Sequence, residues 1–101
     1  MLHVLATIEL NPGTREAFLA EFRKIVPLVL AEEGCIEYGP TVDATTDLER
    51  QARNSDTVVI VEKWTTLAAL KAHLNAPHMA AYRPKVKDYI RGSTMRVLEP
   101  A

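Results

Sequence analysis

A carboxylate, an indole and two imidazoles gather on one stretch of this chain: Glu62-Lys63-Trp64, then Leu70, His73, Leu74 and His78 at helical spacing. Such side chains can do acid–base work on a substrate held against an aromatic wall. A histidine with an unperturbed pKa near ~6.5 suits proton abstraction at neutral pH, and a neighbouring carboxylate can orient its ring and stabilise its cation. His73 is therefore the expected base, Glu62 its expected partner and Trp64 the expected stacking wall. Tyr38 and Tyr82 can donate to substrate oxygens, with His78, Phe22 and Met79 completing the expected binding set. Each residue also has a purely structural reading. A helix histidine beside leucines often bonds a backbone carbonyl, a lone strand tryptophan is often core, and His78, just after Pro77, suits a solvated or capping place.

Other reactive residues point to less. His73 and His78 are five positions apart across an expected helix break, unlike an i, i+4 ligand pair, and no cysteine accompanies them, so no metal is expected. Cys35 has no neighbouring His or Lys in sequence to activate it and reads as an inert thiol. Glu32 and Glu33 fall at the end of an expected helix, against its macrodipole, at a cost of a few tenths of a kcal/mol. Without a visible partner both are expected to be solvated.

The elements that must position these side chains can be read from periodicity and punctuation. Leu2 to Leu10 reads as a strand stopped by Asn11-Pro12-Gly13. From about Thr14 to Glu33, Phe18, Phe22, Ile25 and Val29 make one apolar helical stripe, with Pro27 inside it and Gly34 as its left-handed stop. Cys35 to Val42 and Thr57 to Trp64 are expected strands, Thr66 to Asn75 and Pro77 to about Tyr89 helices, and Ser93 to Leu98 a last strand. Between the second and third strands lies a polar stretch from Asp43 to Asp56, far longer than a common hairpin connection. Its Arg50 and Arg53 stand among Asp47, Glu49 and Asp56, so it is expected to be ordered by charge pairing and to lie across the pocket mouth or a partner subunit.

The order β-α-β-β-α-α-β implies an α+β, ferredoxin-like sandwich, one antiparallel sheet with helices on one face. In the third strand Val58, Ile60, Glu62 and Trp64 point one way while Val59, Val61 and Lys63 point the other, so both faces carry branched apolar residues. A half-solvated sheet alternates more cleanly, and a second copy of the chain is expected on the other face. At 101 residues, self-association would supplement a small core. With 12 Lys plus Arg against 13 Asp plus Glu and no basic run, nucleic acid is not an expected partner. No apolar stretch approaches the roughly 20 residues of a membrane span, and no signal peptide is read at the N-terminus, so the expected place is the cytoplasm.

Glu32-Glu33-Gly34-Cys35-Ile36-Glu37-Tyr38, Glu62-Lys63-Trp64, Leu70-Lys71-Ala72-His73-Leu74 and Pro77-His78-Met79-Ala80-Ala81-Tyr82, in that order and spacing, resemble the antibiotic biosynthesis monooxygenase family, and within it the bacterial quinol monooxygenase branch. The resemblance covers nearly the whole chain. It implies a dimeric α+β barrel, a pocket between sheet and helices in each subunit, and oxygenation of quinols or phenols by dioxygen without metal, flavin or haem. A haem-degrading branch carries an asparagine in its first strand, where this chain has Ile8. Two other readings stay open: a dimeric module that binds a quinone-like ligand without turnover, and a small-metabolite isomerase on the same fold.

Overall fold

The computed structural model describes residues 1–101. The strands are β1 (Leu2–Leu10), β2 (Cys35–Thr41), β3 (Thr57–Trp64) and β4 (Ile90–Leu98). The helices are α1 (Arg15–Leu30), α2 (Leu67–Leu74) and α3 (Pro77–Val86), and a 3₁₀ turn over Lys87–Tyr89 leads into β4. The sheet is antiparallel in the order β2-β3-β1-β4, the ferredoxin-like arrangement expected. No helix is long and apolar enough to cross a membrane.

Apolar periodicity explains which face each element buries. The α1 stripe of Phe18, Phe22, Ile25 and Val29 is buried in full and packs against the sheet face that carries Val4, Val58, Ile60 and Trp64. Register reinforces that face. Leu2 opposes Trp64, Val4 opposes Glu62 and Ala6 opposes Ile60, so side chains that alternate inward on β1 meet their counterparts on β3. Val59, Val61 and Lys63 take the opposite face, where no second layer lies; the molecule measures only 20 Å along its shortest axis.

Several boundaries differ from the sequence reading, each for a local reason. Helix α1 stops at Leu30 instead of reaching Glu33, because Ala31 and Glu32 donate back to Pro27 and Val29 and close the chain into a turn. The last strand begins at Ile90 instead of Ser93, since β1 extends to Leu10 and offers it a partner there. The third helix gives way to the 3₁₀ turn after Val86.

The long connection is ordered, but not by ion pairs. Gln51 Nε2 donates to the Ala44 carbonyl at 2.6 Å, Arg53 Nη2 to Thr45 Oγ1 at 3.1 Å, and the Asn54 amide to Asp43 Oδ2 at 2.8 Å. None of its acids pairs with Arg50 or Arg53. Short polar side chains that bond nearby backbone outcompete exposed ion pairs, which are worth little. Its foot is tied to the start of α1, where the Gly13 amide donates to Asp56 Oδ1 at 3.1 Å.

Gly34 makes the turn from α1 into β2 possible at φ +83°, and a Cβ there would sit 2.5 Å from Ala69 Cβ and 2.7 Å from Thr65 Oγ1. Gly13 has a similar φ of +81° with nothing within 4 Å, and Gly39 has neither constraint. Alanine at these three sites should therefore separate backbone strain from collision. We expect a loss of about 1 kcal/mol at Gly13, about 3 kcal/mol at Gly34 and no loss at Gly39 in denaturant unfolding. Equal losses at Gly13 and Gly34 would show that α2 yields freely to the new methyl.

Candidate active site

A cavity of about 870 Å³ lies between the helix-side face of the sheet and the three helices. Ala6, Ile8, Tyr38, Ile60 and Glu62 form its floor, and Phe22, His73, Leu74, Met79 and Tyr82 its roof. At the edge strand it is bounded by Ser93, Thr94 and Met95 with Arg83 and Lys87. Its volume is within the range of small-molecule sites. Of the expected site residues, Phe22, Tyr38, Glu62, His73, Met79 and Tyr82 border this space, whereas Trp64 and His78 do not. No residue of the long loop borders it.

His73 is in the last turn of α2 and only 2% exposed. Its ring lies 4.8 Å from that of Trp64, tilted at 34°, and 5.3 Å from that of Tyr38, edge-on at 64°. Nδ1 is 2.9 Å from Glu32 Oε2. An ionised carboxylate only accepts, so Nδ1 carries a proton, and in the neutral ring Nε2 keeps the lone pair. Every sealed polar side-chain atom of the protein has a partner. Nε2 has no hydrogen-bond partner within the protein, and the residue borders the cavity.

The carboxylate that orients His73 is thus Glu32 and not Glu62, as the sequence reading had it. Glu62 Oε1 instead accepts the indole N–H of Trp64 at 2.9 Å. The two residues are adjacent on one face of β3, and a fully buried indole needs an acceptor. Trp64, at 0% exposure, stands behind His73 and braces it; it is not a wall that a ligand touches. Glu62 also borders the cavity.

Glu32 is the residue that sequence reasoning passed over. Its side chain is 15% exposed, and Oε2 also accepts from His78 Nε2 at 2.8 Å. His78, expected at the substrate, holds the rear of this triad from the first turn of α3. Glu33, by contrast, is exposed as expected. The one signal in the sequence was the misfit of an acid at the end of a helix, which a pair of cationic or donor partners would resolve. Glu32, His73 and His78 offer three ligand-type atoms within 4.8 Å of one another, so the triad is also the chain's candidate metal-binding set.

Burial sets the protonation of the remaining groups. It pushes the Glu62 carboxyl above its ordinary range, opposed by the Trp64 hydrogen bond and the nearby His73 and aided by the charge of Glu32. The Tyr38 and Tyr82 phenols are pushed well above their usual range, chiefly by burial, and stay protonated donors at neutral pH. The Cys35 thiol is likewise raised by burial and by Glu32 and Glu62, which makes it a poor nucleophile.

Residues 1–85 match the antibiotic biosynthesis monooxygenase family. The chain is 44% identical, over 99% of its length and 98% of the relative's, to the Escherichia coli (strain K12) protein named "Probable quinol monooxygenase YgiN". It is 32% identical, over 89% of its length and 86% of the relative's, to "Putative monooxygenase YcnE" of Bacillus subtilis (strain 168). Among solved structures it resembles PA3566 from Pseudomonas aeruginosa with a TM-score of 0.81 and 26% identity, covering 99% of this chain and 93% of that one.

Because Glu62 is raised, its charged form opposes folding: the protonated form is favoured below the unfolded pKa, and that advantage is lost as pH rises through the folded value. Glu62→Gln keeps an acceptor for Trp64 and removes the buried charge. We expect its melting temperature to exceed that of the wild type at pH 8 and the gap to close as pH falls toward 4. A gap that widens in acid would show that the charged form is the stabilised one.

Proposed function

The chain belongs to the antibiotic biosynthesis monooxygenase family, and from that premise we propose that it oxidises a quinol or related phenol with dioxygen, as a monooxygenase that needs no metal, flavin or haem. The observation that carries this reading is that His73 borders an aromatic-walled cavity with Nδ1 held by Glu32 and Nε2 without a partner. A base so arranged needs no reorganisation before it accepts a proton.

A quinol can substitute for a cofactor once it is an anion, because the electron-rich ring can give one electron to triplet dioxygen. His73 Nε2 takes the hydroxyl proton, and Glu32 stabilises the imidazolium. Tyr38 and Tyr82, protonated and bordering the cavity, donate to the substrate oxygens and to the superoxide that forms. The semiquinone and superoxide join through a new carbon–oxygen bond. His73 returns its proton to the outer peroxide oxygen; the O–O bond breaks as the hydrogen on the newly oxygenated carbon is lost as a proton and its C–H electrons form the carbonyl, and the departing hydroxide takes up a proton and leaves as water. The sum is quinol plus dioxygen to hydroxyquinone plus water. Phe22, Ile60 and Met79 keep water from the reacting ring.

The uncovered sheet face supports a homodimer. Leu5, Val59 and Val61 on that face are only half-buried, and on the cavity side Met95 and Val97 of the edge strand are 50% and 43% exposed. A second copy laid against them would complete the apolar layer and close the open rim of the cavity.

Oxygen-electrode assays of metal-free protein over reduced naphthoquinones, benzoquinones and phenols test the activity directly. His73→Ala should lower kcat by about 10²- to 10⁴-fold with ligand affinity little changed. Glu32→Gln should lower it by about 10- to 100-fold, since the tautomer is then held by a neutral acceptor. Ligand quenching of Trp64 fluorescence without oxygen uptake would identify a binding module, and anaerobic turnover an isomerase. For assembly, Val61→Lys would bury an unpaired ammonium, at several kcal/mol, between the sheets. Sedimentation should give twice the chain mass for the wild type, and the single-chain mass or precipitate for the variant. A dimer untouched by the lysine would place the interface elsewhere.

A further inference from the structure

We propose that Glu32, His73 and His78 form a binding site for a divalent transition metal, zinc or cobalt in type, and that metal bound there silences the His73 base. The binding stands on the geometry alone; the silencing rests on the oxidation reading above.

Three elements bring the donors together. Glu32 is in the turn after α1, its amide bonded to the Val29 carbonyl at 2.9 Å. His73 ends α2 and His78 begins α3, and the corner between them is fixed by bonds from Ala76 to His73 at 3.1 Å and from Met79 to Ala76 at 3.0 Å. The five-residue histidine spacing that fails as an i, i+4 pair on one helix succeeds across this corner. Two imidazole nitrogens and one carboxylate oxygen suit zinc, cobalt or nickel, whereas calcium and magnesium favour oxygen ligands.

The separations of 2.8 and 2.9 Å between Oε2 and the two nitrogens suit hydrogen bonds. Ligands around tetrahedral zinc stand roughly 3.3 Å apart for metal–ligand bonds near 2.0 Å. As metal replaces the two shared protons, the Glu32 carboxylate must give way by about half an ångström, and the two imidazole nitrogens, up to 4.8 Å apart, must close by more than an ångström through rotation of the exposed His78 ring. Entry is from the surface beside α3, where the side chains of His78 and Glu32 are 25% and 15% exposed, and not through the substrate cavity.

The consequence follows from the two nitrogens of one ring. When metal takes Nδ1 of His73, the proton there moves to Nε2, and the proton on His78 Nε2 likewise moves to Nδ1. No proton is released if both rings begin neutral. His73 then shows the cavity a donor in place of a lone pair, and it cannot accept a proton from a quinol.

Cobalt(II) titrated into metal-free wild-type protein should give visible d–d absorption saturating at one ion per chain, and zinc should displace it. His78→Gln and Glu32→Gln should each weaken zinc binding by at least about 100-fold, since each removes a ligand outright. His3→Gln, on the far face of the sheet, should leave it unchanged. Should Glu32→Gln fold poorly by circular dichroism, the more exposed His78 still decides the matter. In ¹⁵N NMR, zinc should move the His73 ring proton from Nδ1 to Nε2. Absence of the cobalt spectrum, zinc affinity equal in wild type and His78→Gln, or a proton retained on Nδ1 would each overturn the site. With the site present, zinc should inhibit oxygen uptake over the range in which it binds, and uninhibited turnover at saturating zinc would overturn the silencing. If metal-free protein takes up no oxygen with any quinol, the oxidation reading and the silencing fall together, and the cobalt spectrum still decides the site.

Discussion

One carboxylate oxygen, Oε2 of Glu32, accepts hydrogen bonds from two imidazoles, and the arrangement of the helices around the cavity depends on it. A histidine at 2% exposure must satisfy its polar atoms or keep them open to a solvated space. In His73, Nδ1 is bonded, and Nε2 has no partner within the protein in a residue that borders the cavity. Because His73 ends α2 and His78 begins α3, the same oxygen also fixes the corner between two short helices, neither of which has a strong apolar stripe of its own. A bond that serves tautomer, ring orientation and helix packing together is hard to replace by any single substitution.

Register on the sheet side is equally restrictive. Cys35 opposes Trp64 but Glu37 opposes Lys63, so one extra residue, Ile36, is inserted into β2. Uninterrupted pairing would set Glu37 opposite Glu62, two carboxylates on one buried face, and turn Tyr38 outward. With the bulge, Tyr38 opposes Glu62 and reaches the cavity, while Glu37 pairs with Lys63 at 2.8 Å on the other face. A one-residue slip thus exchanges a costly like-charge contact for a phenol donor.

The two carboxylates near His73 have separate tasks because their surroundings differ. Glu32, at a turn with partial access to solvent, accepts from two N–H donors. Glu62, on the buried face of β3, is raised by desolvation and is steadied by an indole. Trp64 gains a partner and His73 gains a rigid neighbour from the same contact.

The sequence by itself determined the local pattern and, through the resemblance of its motifs, the family. Period-2 alternation placed Glu62 beside Trp64 on one face of β3, the helical stripe identified the buried side of α1, and Gly34 marked the turn; all of these are settled by residues within a few positions of one another. Tertiary structure alone decided which carboxylate meets the base. Glu32 lies 41 residues from His73 and 46 from His78, and no local periodicity relates positions on three different elements. The same holds for the bulge at Ile36, which depends on what the neighbouring strand presents, and for the withdrawal of Trp64 from the cavity. Side-chain partners are chosen by packing and register, which sum over the whole chain, whereas strands, helices and turns are chosen by short-range sterics and hydrophobic period.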